Sequence, residues 1–421
     1  MYRKIMGFLE AWKENEHRKP LILQGARQVG KTYSILEFGR IHYENVAYFN
    51  FETNPKLNET FEEKISPDYL IPILSHIAGQ TIVKEKTLIV FDEVQLCERA
   101  LTSLKYFCED APDYHIIVAG SLLGVAVNRA KISFPVGKVD MKTLYPMDME
   151  EFMIAVGEDE LVEQIKKCFE TNRPMPSALH DAAMQLYRQY LVVGGMPECV
   201  MQFAETKDYI LVRHTQDTIL ASYLNDMSKY NNLNEIKKTR LAYDNITVQL
   251  SKKNTRFQYK LMKKGGRASE FENAIEWLCL SGIVSQVYKV EQIKKLENYR
   301  DIDAFKIYVS DLGLLCAKKD LAANDILYMV EEINDFKGGM AENYVNVQLT
   351  INGYHTYYWE SKRGAEIDFI IQRDGQLIPI EVKSADNTRA KSLKVYMDTY
   401  KPAYAIKLSA KNFGFEDNKK I

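Results

Sequence analysis

The order of apolar and polar positions divides the chain into three stretches. Residues 1–19 place Ile5, Phe8, Leu9 and Trp12 at helical spacing, which predicts an amphipathic helix. From 20 to about 145, short apolar runs alternate with helical periodicity. The runs LILQ (21–24), VAYFNFE (46–52), TLIVFDE (87–93) and HIIVAG (115–120) predict strands, with helices beginning near Lys31, Pro67 and Arg99. Strands separated by helices imply a parallel sheet with crossovers. From 146 to 330 the pattern turns mainly helical, with a break at Gly194-Gly195-Met196-Pro197. Within it, 269–290 predicts a helix that ends at Gly282 and turns into a strand. The last stretch returns to alternation. A helix over 339–351 precedes strands at TYYWES (356–361), EIDFIIQ (366–372) and QLIPIEVKS (376–384), then a helix over 388–399 and a strand at AYAIKLS (403–409).

Composition narrows the classes. A length of 421 residues exceeds one ordinary core and predicts two or three domains. Charged residues at 27% and hydrophobic ones at 46% are the mixture of a folded globular chain. The net charge is −2, so any surface for nucleic acid or membrane has to be local. The six cysteines form no C-x-x-C pair, which argues against a zinc site or disulfide framework and for thiols, most of them buried, in a reducing compartment. The charged N-terminus lacks the apolar core of a signal peptide. No stretch approaches the ~18 consecutive apolar residues of a spanning helix. The expectation is a cytoplasmic protein with no membrane partner.

The chemistry begins at 25–32. Gly25-Ala26-Arg27-Gln28-Val29-Gly30-Lys31-Thr32 fits G-x-x-x-x-G-K-[ST] directly after an apolar strand and before a helix. The glycines let the loop curl so that backbone N–H groups, with the positive end of the following helix, face phosphates. Lys31 would reach the β- and γ-phosphates, and Thr32 would offer its hydroxyl to Mg²⁺. About sixty residues on, LIVFDEVQ (88–95) is an apolar strand that delivers Asp92 and Glu93 at its carboxyl end, beside the phosphates. Asp92 would hold the Mg²⁺ shell, and Glu93 would act as general base on the attacking water. Ser121, after the next strand, is placed to sense the γ-phosphate or the water; a plain turn at Gly120-Ser121 is the alternative.

The pieces LQGARQVGKT, LIVFDEVQ, IIVAGSLLGV, SFPVGKVDMKTLYPMDMEEF and YLVVGGMPECV, in that order, resemble the bacterial and archaeal AAA-like ATPases that carry a C-terminal domain of unknown function. The resemblance runs through essentially the whole chain. It implies ATP with Mg²⁺ as the ligand, and a homo-oligomer if Arg129 or Arg188 stabilises charge at a neighbouring subunit. One departure is Lys138, where the family pattern leads one to expect arginine before TLYPM.

Residues 251–267, SKKNTRFQYKLMKKGGR, hold seven Lys or Arg and no acid. With the helix and strand that follow, they resemble a winged-helix module whose basic part meets DNA; a solvated basic face is the alternative. The C-terminal stretch places Glu342 on a helix, Asp368 inside a strand and Glu381-x-Lys383 in the next. Alternation puts Glu381 and Lys383 on one face. This order resembles the restriction-endonuclease-like PD-(D/E)XK core. It implies Glu342, Asp368 and Glu381 around Mg²⁺, with Lys383 stabilising the hydroxide or the developing charge. A cross-strand ion pair is the alternative.

The predicted architecture is α/β. A P-loop parallel sheet with flanking helices spans 1–145, a helical lid and winged-helix region 146–330, and a restriction-endonuclease-like α/β domain 331–421. The predicted activity is ATP hydrolysis coupled to DNA binding or processing. The alternative is a nucleotide-dependent regulatory switch with an inactive nuclease-like interaction domain. A small-molecule kinase would leave the C-terminal carboxylates unexplained.

Overall fold

A computed structural model describes residues 1–121, 134–229, 233–252, 256–290, 300–384, 391–416 and 419–420. The chain forms two compact units, one of 2–145 with 280–282, the other of 146–279 with 283–421 and Met1.

The first unit is built on five strands: β1 Leu21–Gln24, β2 Asn45–Asn50, β3 Thr87–Asp92, β4 His115–Gly120 and β5 Asp140–Thr143. They lie in the order β2-β3-β4-β1-β5, and every neighbouring pair is parallel. Strands β3 and β4 are buried along their whole length, which explains their unbroken apolar runs. Helices Ile5–Glu14, Lys31–His42, Pro67–Ala78 and Glu98–Asp110 accompany the strands. Phe91 meets Phe49, Phe51 and Phe61 edge to face, with ring centroids 5.7 to 5.9 Å apart.

Two strand ends fall short of the apolar pattern for local reasons. Asn50 turns its side-chain oxygen to the N–H groups of Glu52 and Thr53, both at 2.9 Å, and this turn ends β2. Glu93 takes a left-handed φ of 52°, which ends β3 at Asp92. Strand β5 is not predicted by the pattern, because Asp-Met-Lys-Thr at the sheet edge carries no apolar run.

The second unit starts with helices, among them Met149–Ala155, Ser177–Val193, Pro197–Thr206, Tyr209–Lys229 and Leu233–Leu250. The break at 194–197 falls between two of these. Gly195 donates its N–H to the buried Asp311 carboxylate at 2.6 Å, and Leu314 donates another at 2.8 Å. At Gly194, φ is 75° and a Cβ would lie 2.3 Å from Asp311 Oδ1, so only glycine fits.

A mixed sheet completes this unit. Its strands are β6 Val284–Val290, β7 Arg300–Val309, β8 Tyr357–Glu360, β9 Glu366–Arg373, β10 Gln376–Val382, β11 Ala405–Leu408, β12 Phe415–Glu416 and β13 Lys419–Lys420. Their order is β12-β13-β11-β10-β9-β8-β6-β7. Strand β6 pairs antiparallel with β7 and parallel with β8, so β6 and β7 share one sheet with the C-terminal strands. Strand β7 is not predicted by the pattern, because Lys306 interrupts its apolar run although it too is buried. The helix predicted from Gly339 begins at Asn334 and runs to Ile351. Gly339 lies in its interior, where a Cβ would meet the Leu250 carbonyl oxygen at 2.1 Å; close approach of two helices explains the glycine.

Cys97, Cys199 and Cys316 are buried, Cys108, Cys168 and Cys279 are half-buried, and all six are free thiols. Among the described residues, no helix is long and apolar enough to cross a membrane.

Candidate functional site

The loops after β1, β3 and β4 leave the same carboxyl edge of the parallel sheet, where open α/β sheets bind ligands. After β1 the chain enters the glycine loop with φ of 147° at Gly25, 65° at Gln28 and 89° at Gly30. A Cβ at Gly25 would stand 2.1 Å from the Leu144 carbonyl oxygen, which excludes any other residue there. Ala26 and Val29 are buried, and Arg27 stands 4.0 Å from Glu52. Lys31 opens the next helix with only 7% of its surface exposed. It donates to the carbonyls of Gly25 at 3.0 Å and Ala26 at 2.8 Å. Burial pushes its ammonium down to about 8, against the opposing pull of Glu93 and Asp92.

Asp92 is the hub of the acidic side. Its Oδ2 accepts from Thr32 Oγ1 at 2.9 Å and from the Tyr48 hydroxyl at 2.7 Å, and its Oδ1 accepts from the Glu93 N–H at 3.0 Å. Asn50 donates in turn to the Tyr48 oxygen at 3.1 Å. Glu93 Oε2 accepts from the Gln95 side-chain amide and from Ser121 Oγ at 3.3 Å. The fold thus brings Lys31, Thr32, Asp92, Glu93 and Ser121 to one edge. Tyr48, Asn50 and Gln95 escape the sequence motifs. Asn50 pairs in register with Asp92, and alternation puts Tyr48 on the same face of β2.

The Thr32 hydroxyl and the Asp92 carboxylate converge within 2.9 Å, two oxygen donors of the kind a hard divalent cation takes. These residues fit Mg²⁺. Arg129 lies outside the described residues. Arg188 is half-buried in the helix Ser177–Val193, and Lys138 forms a surface ion pair with Glu109 at 2.8 Å.

The second cluster lies in the other unit. Glu342 comes from the helix Asn334–Ile351, Asp368 from β9 and Glu381 from β10. Lys383 donates to Glu381 Oε1 at 2.5 Å, so the two do share a face. Asp368 accepts from the Val382 N–H at 2.7 Å. A residue missed by the motif stands among them. Lys306 Nζ, on β7 and 1% exposed, is 3.3 Å from Glu342 and 2.5 Å from Glu366. Tyr308 donates to Glu342 at 2.8 Å. Burial pulls the Lys306 ammonium down, yet Glu342 and its neighbours hold it well above the usual lysine range. Burial and then Glu342 push the Asp368 carboxyl well up, and burial raises Glu381 in spite of Lys383.

Among the described residues, no group of three or more His, Cys, Asp or Glu side chains is arranged to hold a metal ion. Lys306 engages Glu342, and Lys383 engages Glu381. Glu381 Oε2 is buried without a hydrogen-bond partner, a position suited to a proton given the raised carboxyl.

The basic segment runs beside this sheet. Arg256 bridges to Lys306, and the Phe257 N–H reaches the Phe305 carbonyl at 2.8 Å. Gln249 clasps the backbone of Gln258 in both directions, at 2.9 and 3.0 Å. Lys252, Arg256, Lys260, Lys263, Lys264 and Arg267 are exposed; Lys253 lies outside the described residues. The helices Leu233–Leu250, Tyr259–Met262 and Ala268–Leu280 lead into β6 and β7. The last of these helices exposes Glu272 and Glu276.

Residues 17–153 match the sequence profile of the AAA domain. Residues 184–325 match a domain of unknown function (DUF8612), and 337–421 another (DUF4143). No curated protein matches the chain. Among solved structures, it is similar to a Walker-type ATPase of Pyrococcus abyssi, at 14% identity and TM-score 0.46 over 76% of this chain and 95% of that one. It is also similar to the ORC2 protein of Aeropyrum pernix, solved as ADPNP–ADP complexes, at 12% identity and TM-score 0.38 over 79% and 94%. A third is the RuvB Holliday junction branch migration motor of Thermotoga maritima, at 14% identity and TM-score 0.30 over 67% and 87%. The domain profile, rather than these distant likenesses, identifies the first unit. Residues 17–153 thus match the AAA domain family and carry its P-loop ATPase fold, while 184–325 and 337–421 match the two domains of unknown function.

Proposed function

We propose that this chain binds and hydrolyses ATP with Mg²⁺ and couples the nucleotide state to DNA binding through its second unit. The observation that carries the reading is Asp92, bonded to Thr32 of the glycine loop and adjacent to Glu93. In the mechanism, the N–H groups of 25–32 cradle the phosphates. Lys31 exchanges its two loop carbonyls for β- and γ-phosphate oxygens. Thr32 and Asp92 would hold Mg²⁺, which supplies charge neutralisation at the phosphates when bound. Glu93 takes the proton of the attacking water, and Ser121 contacts the γ-phosphate side. At rest one Glu93 oxygen accepts from Gln95 and Ser121, which lowers the basicity of the carboxylate and leaves its other oxygen to take the proton. The test is ATP turnover of wild type, Lys31→Ala and Glu93→Gln with single- and double-stranded DNA. Wild-type protein without turnover under any of these conditions sinks the ATPase reading.

For DNA, the helix order before β6 and β7 supports a winged-helix region within 146–330. Its third helix turns glutamates outward, which phosphate-lined grooves repel. The exposed cations of the preceding turn suit sequence-independent backbone contact instead. The restriction-endonuclease-like reading of 331–421 rests on the order Glu342, Asp368, Glu381-x-Lys383. Lys306 and Lys383 engage carboxylates that a metal would need. That pairing favours a second reading, in which the nuclease-like part is a binding scaffold for a nucleotide-dependent switch. A plasmid incubated with wild-type protein and Mn²⁺ distinguishes them: nicking would overturn the scaffold. Charge stabilisation by Arg129 or Arg188 would need a homo-oligomer, which sedimentation with a non-hydrolysable ATP analogue tests.

A further inference from the structure

We propose that Tyr48 is a positioning residue of the magnesium–nucleotide site, acting through Asp92. The proposal rests on the ATPase reading and deepens it. Asp92 Oδ2 receives two hydroxyl protons, from Thr32 at 2.9 Å and from Tyr48 at 2.7 Å. The two donors arrive from different elements, the helix Lys31–His42 and strand β2. Thr32 belongs to the phosphate loop itself. Tyr48 belongs to the neighbouring strand, where its ring has no part in the motif. Its hydroxyl is itself fixed by Asn50 Nδ2 at 3.1 Å, so the chain Asn50, Tyr48, Asp92 runs along the end of β2 and across to β3.

A carboxylate beside a divalent cation binds well only if its rotamer is held. Partners one step out from a metal ligand commonly govern affinity by about 10-fold or more. The N–H of Glu93 holds one oxygen of Asp92; Tyr48 and Thr32 hold the other. Without the phenol, the second oxygen depends on Thr32 alone, and Thr32 is the residue that the cation also draws on.

The experiment titrates a fluorescent ATP analogue into full-length wild type and Tyr48→Phe, in EDTA and across a Mg²⁺ series. The expected result is unchanged affinity in EDTA and a roughly 10-fold rise in the Mg²⁺ concentration that gives half-maximal tightening. Asp92→Asn and the double variant close the cycle, and the effect of Tyr48→Phe should disappear on the Asp92→Asn background. Equal Mg²⁺ dependence in wild type and Tyr48→Phe overturns the proposal. So does an equal loss of affinity in EDTA and Mg²⁺, which is what a merely structural tyrosine would produce. Wild-type protein that binds no nucleotide in either buffer defeats the ATPase reading and the proposal together, whereas normal Mg²⁺ tightening in Tyr48→Phe defeats the proposal alone.

Discussion

Gln95 donates its side-chain amide to Glu93, two residues away, on the oxygen that Ser121 bonds at 3.3 Å. These two donors lower the basicity of the proposed base. Gln95→Ala should therefore raise ATP turnover measured without DNA, by a few-fold, and reduce any stimulation by DNA. Glu93→Gln should bind nucleotide like wild type and lose turnover, because an amide cannot accept the proton. A steady-state phosphate-release assay checks both. Unchanged basal turnover in Gln95→Ala would mean that the pairing does not restrain the base.

Lys306 is a buried cation of the second unit. Replacing it by glutamine leaves Glu342 facing Glu366 and Asp368 without the buried ammonium. Loss of one partner from a buried pair costs about 3–5 kcal/mol, and the exposed third of Glu366 argues for the lower end. Thermal melting of nucleotide-free protein should show the loss. Wild type should be indifferent to Mn²⁺ in the same assay, and Lys306→Gln should regain part of its melting temperature with it. A Mn²⁺ response in wild type would instead point to a metal site at Asp368 and Glu381.

The two units should respond to acid with opposite sign. His115 is buried, and burial, followed by Arg18 and Lys13, pushes its pKa down to about 4. Its folded value lies below the unfolded one of about 6.5. The stability it contributes is full above that pH and is lost as pH falls towards 4. Asp311 is the reverse. Burial lifts it to about 6 in spite of four backbone N–H donors, so the folded state favours its proton. Its ionisation therefore costs stability as pH rises from about 4 to 6. Melting curves of His115→Gln and Asp311→Asn against wild type should diverge in opposite directions between pH 7 and 4.5.

Gly194 tests the loop around Asp311. Gly194→Ala combines a left-handed φ with a Cβ 2.3 Å from the carboxylate, and should cost about 2 kcal/mol or more. Asp311→Ala removes that oxygen, so the cost of Gly194→Ala should be smaller on that background. Additive losses in denaturant melts would mean that the backbone alone is strained.

Neutralising Lys260, Lys263, Lys264 and Arg267 should lower the salt dependence of DNA binding by about 0.9 in log–log slope for each DNA phosphate that is no longer neutralised. Glu272→Gln and Glu276→Gln should tighten binding slightly and confer no sequence preference. Isotherms at two salt concentrations on two unrelated duplexes decide it. An unchanged slope would leave the segment a solvated face.

The phosphate loop, the acidic pair Asp92-Glu93 and the central strands β1, β3 and β4 were legible because each depends on local chemistry: glycine at positive φ, or an apolar run buried on both faces. Tyr48 and Lys306 were not. Each acquires its role from a neighbouring strand brought alongside by folding, and neither stands in a distinctive local pattern. Lys306 even disguised β7, since a lysine in a strand marks a solvent face unless carboxylates from a distant helix and strand wait for it. Gly339 was misleading for a similar reason. Its absence of side chain suits another helix packed against it, so it lies inside a helix and does not begin one.

The parallel pairing of β6 with β8 has a consequence for biosynthesis. Val290 leaves the ribosome well before Tyr357, with roughly 70 residues still to be made. At about 5–20 residues per second, the hairpin of β6 and β7 waits several seconds for its partner strand. During that interval β6 offers an unsatisfied row of backbone groups on the side later covered by β8, next to Val284, Val287 and Val290. A truncation that stops before β8 leaves that row bare for good, a start placed after β7 bares the facing edge of β8 instead, and such fragments should aggregate rather than fold.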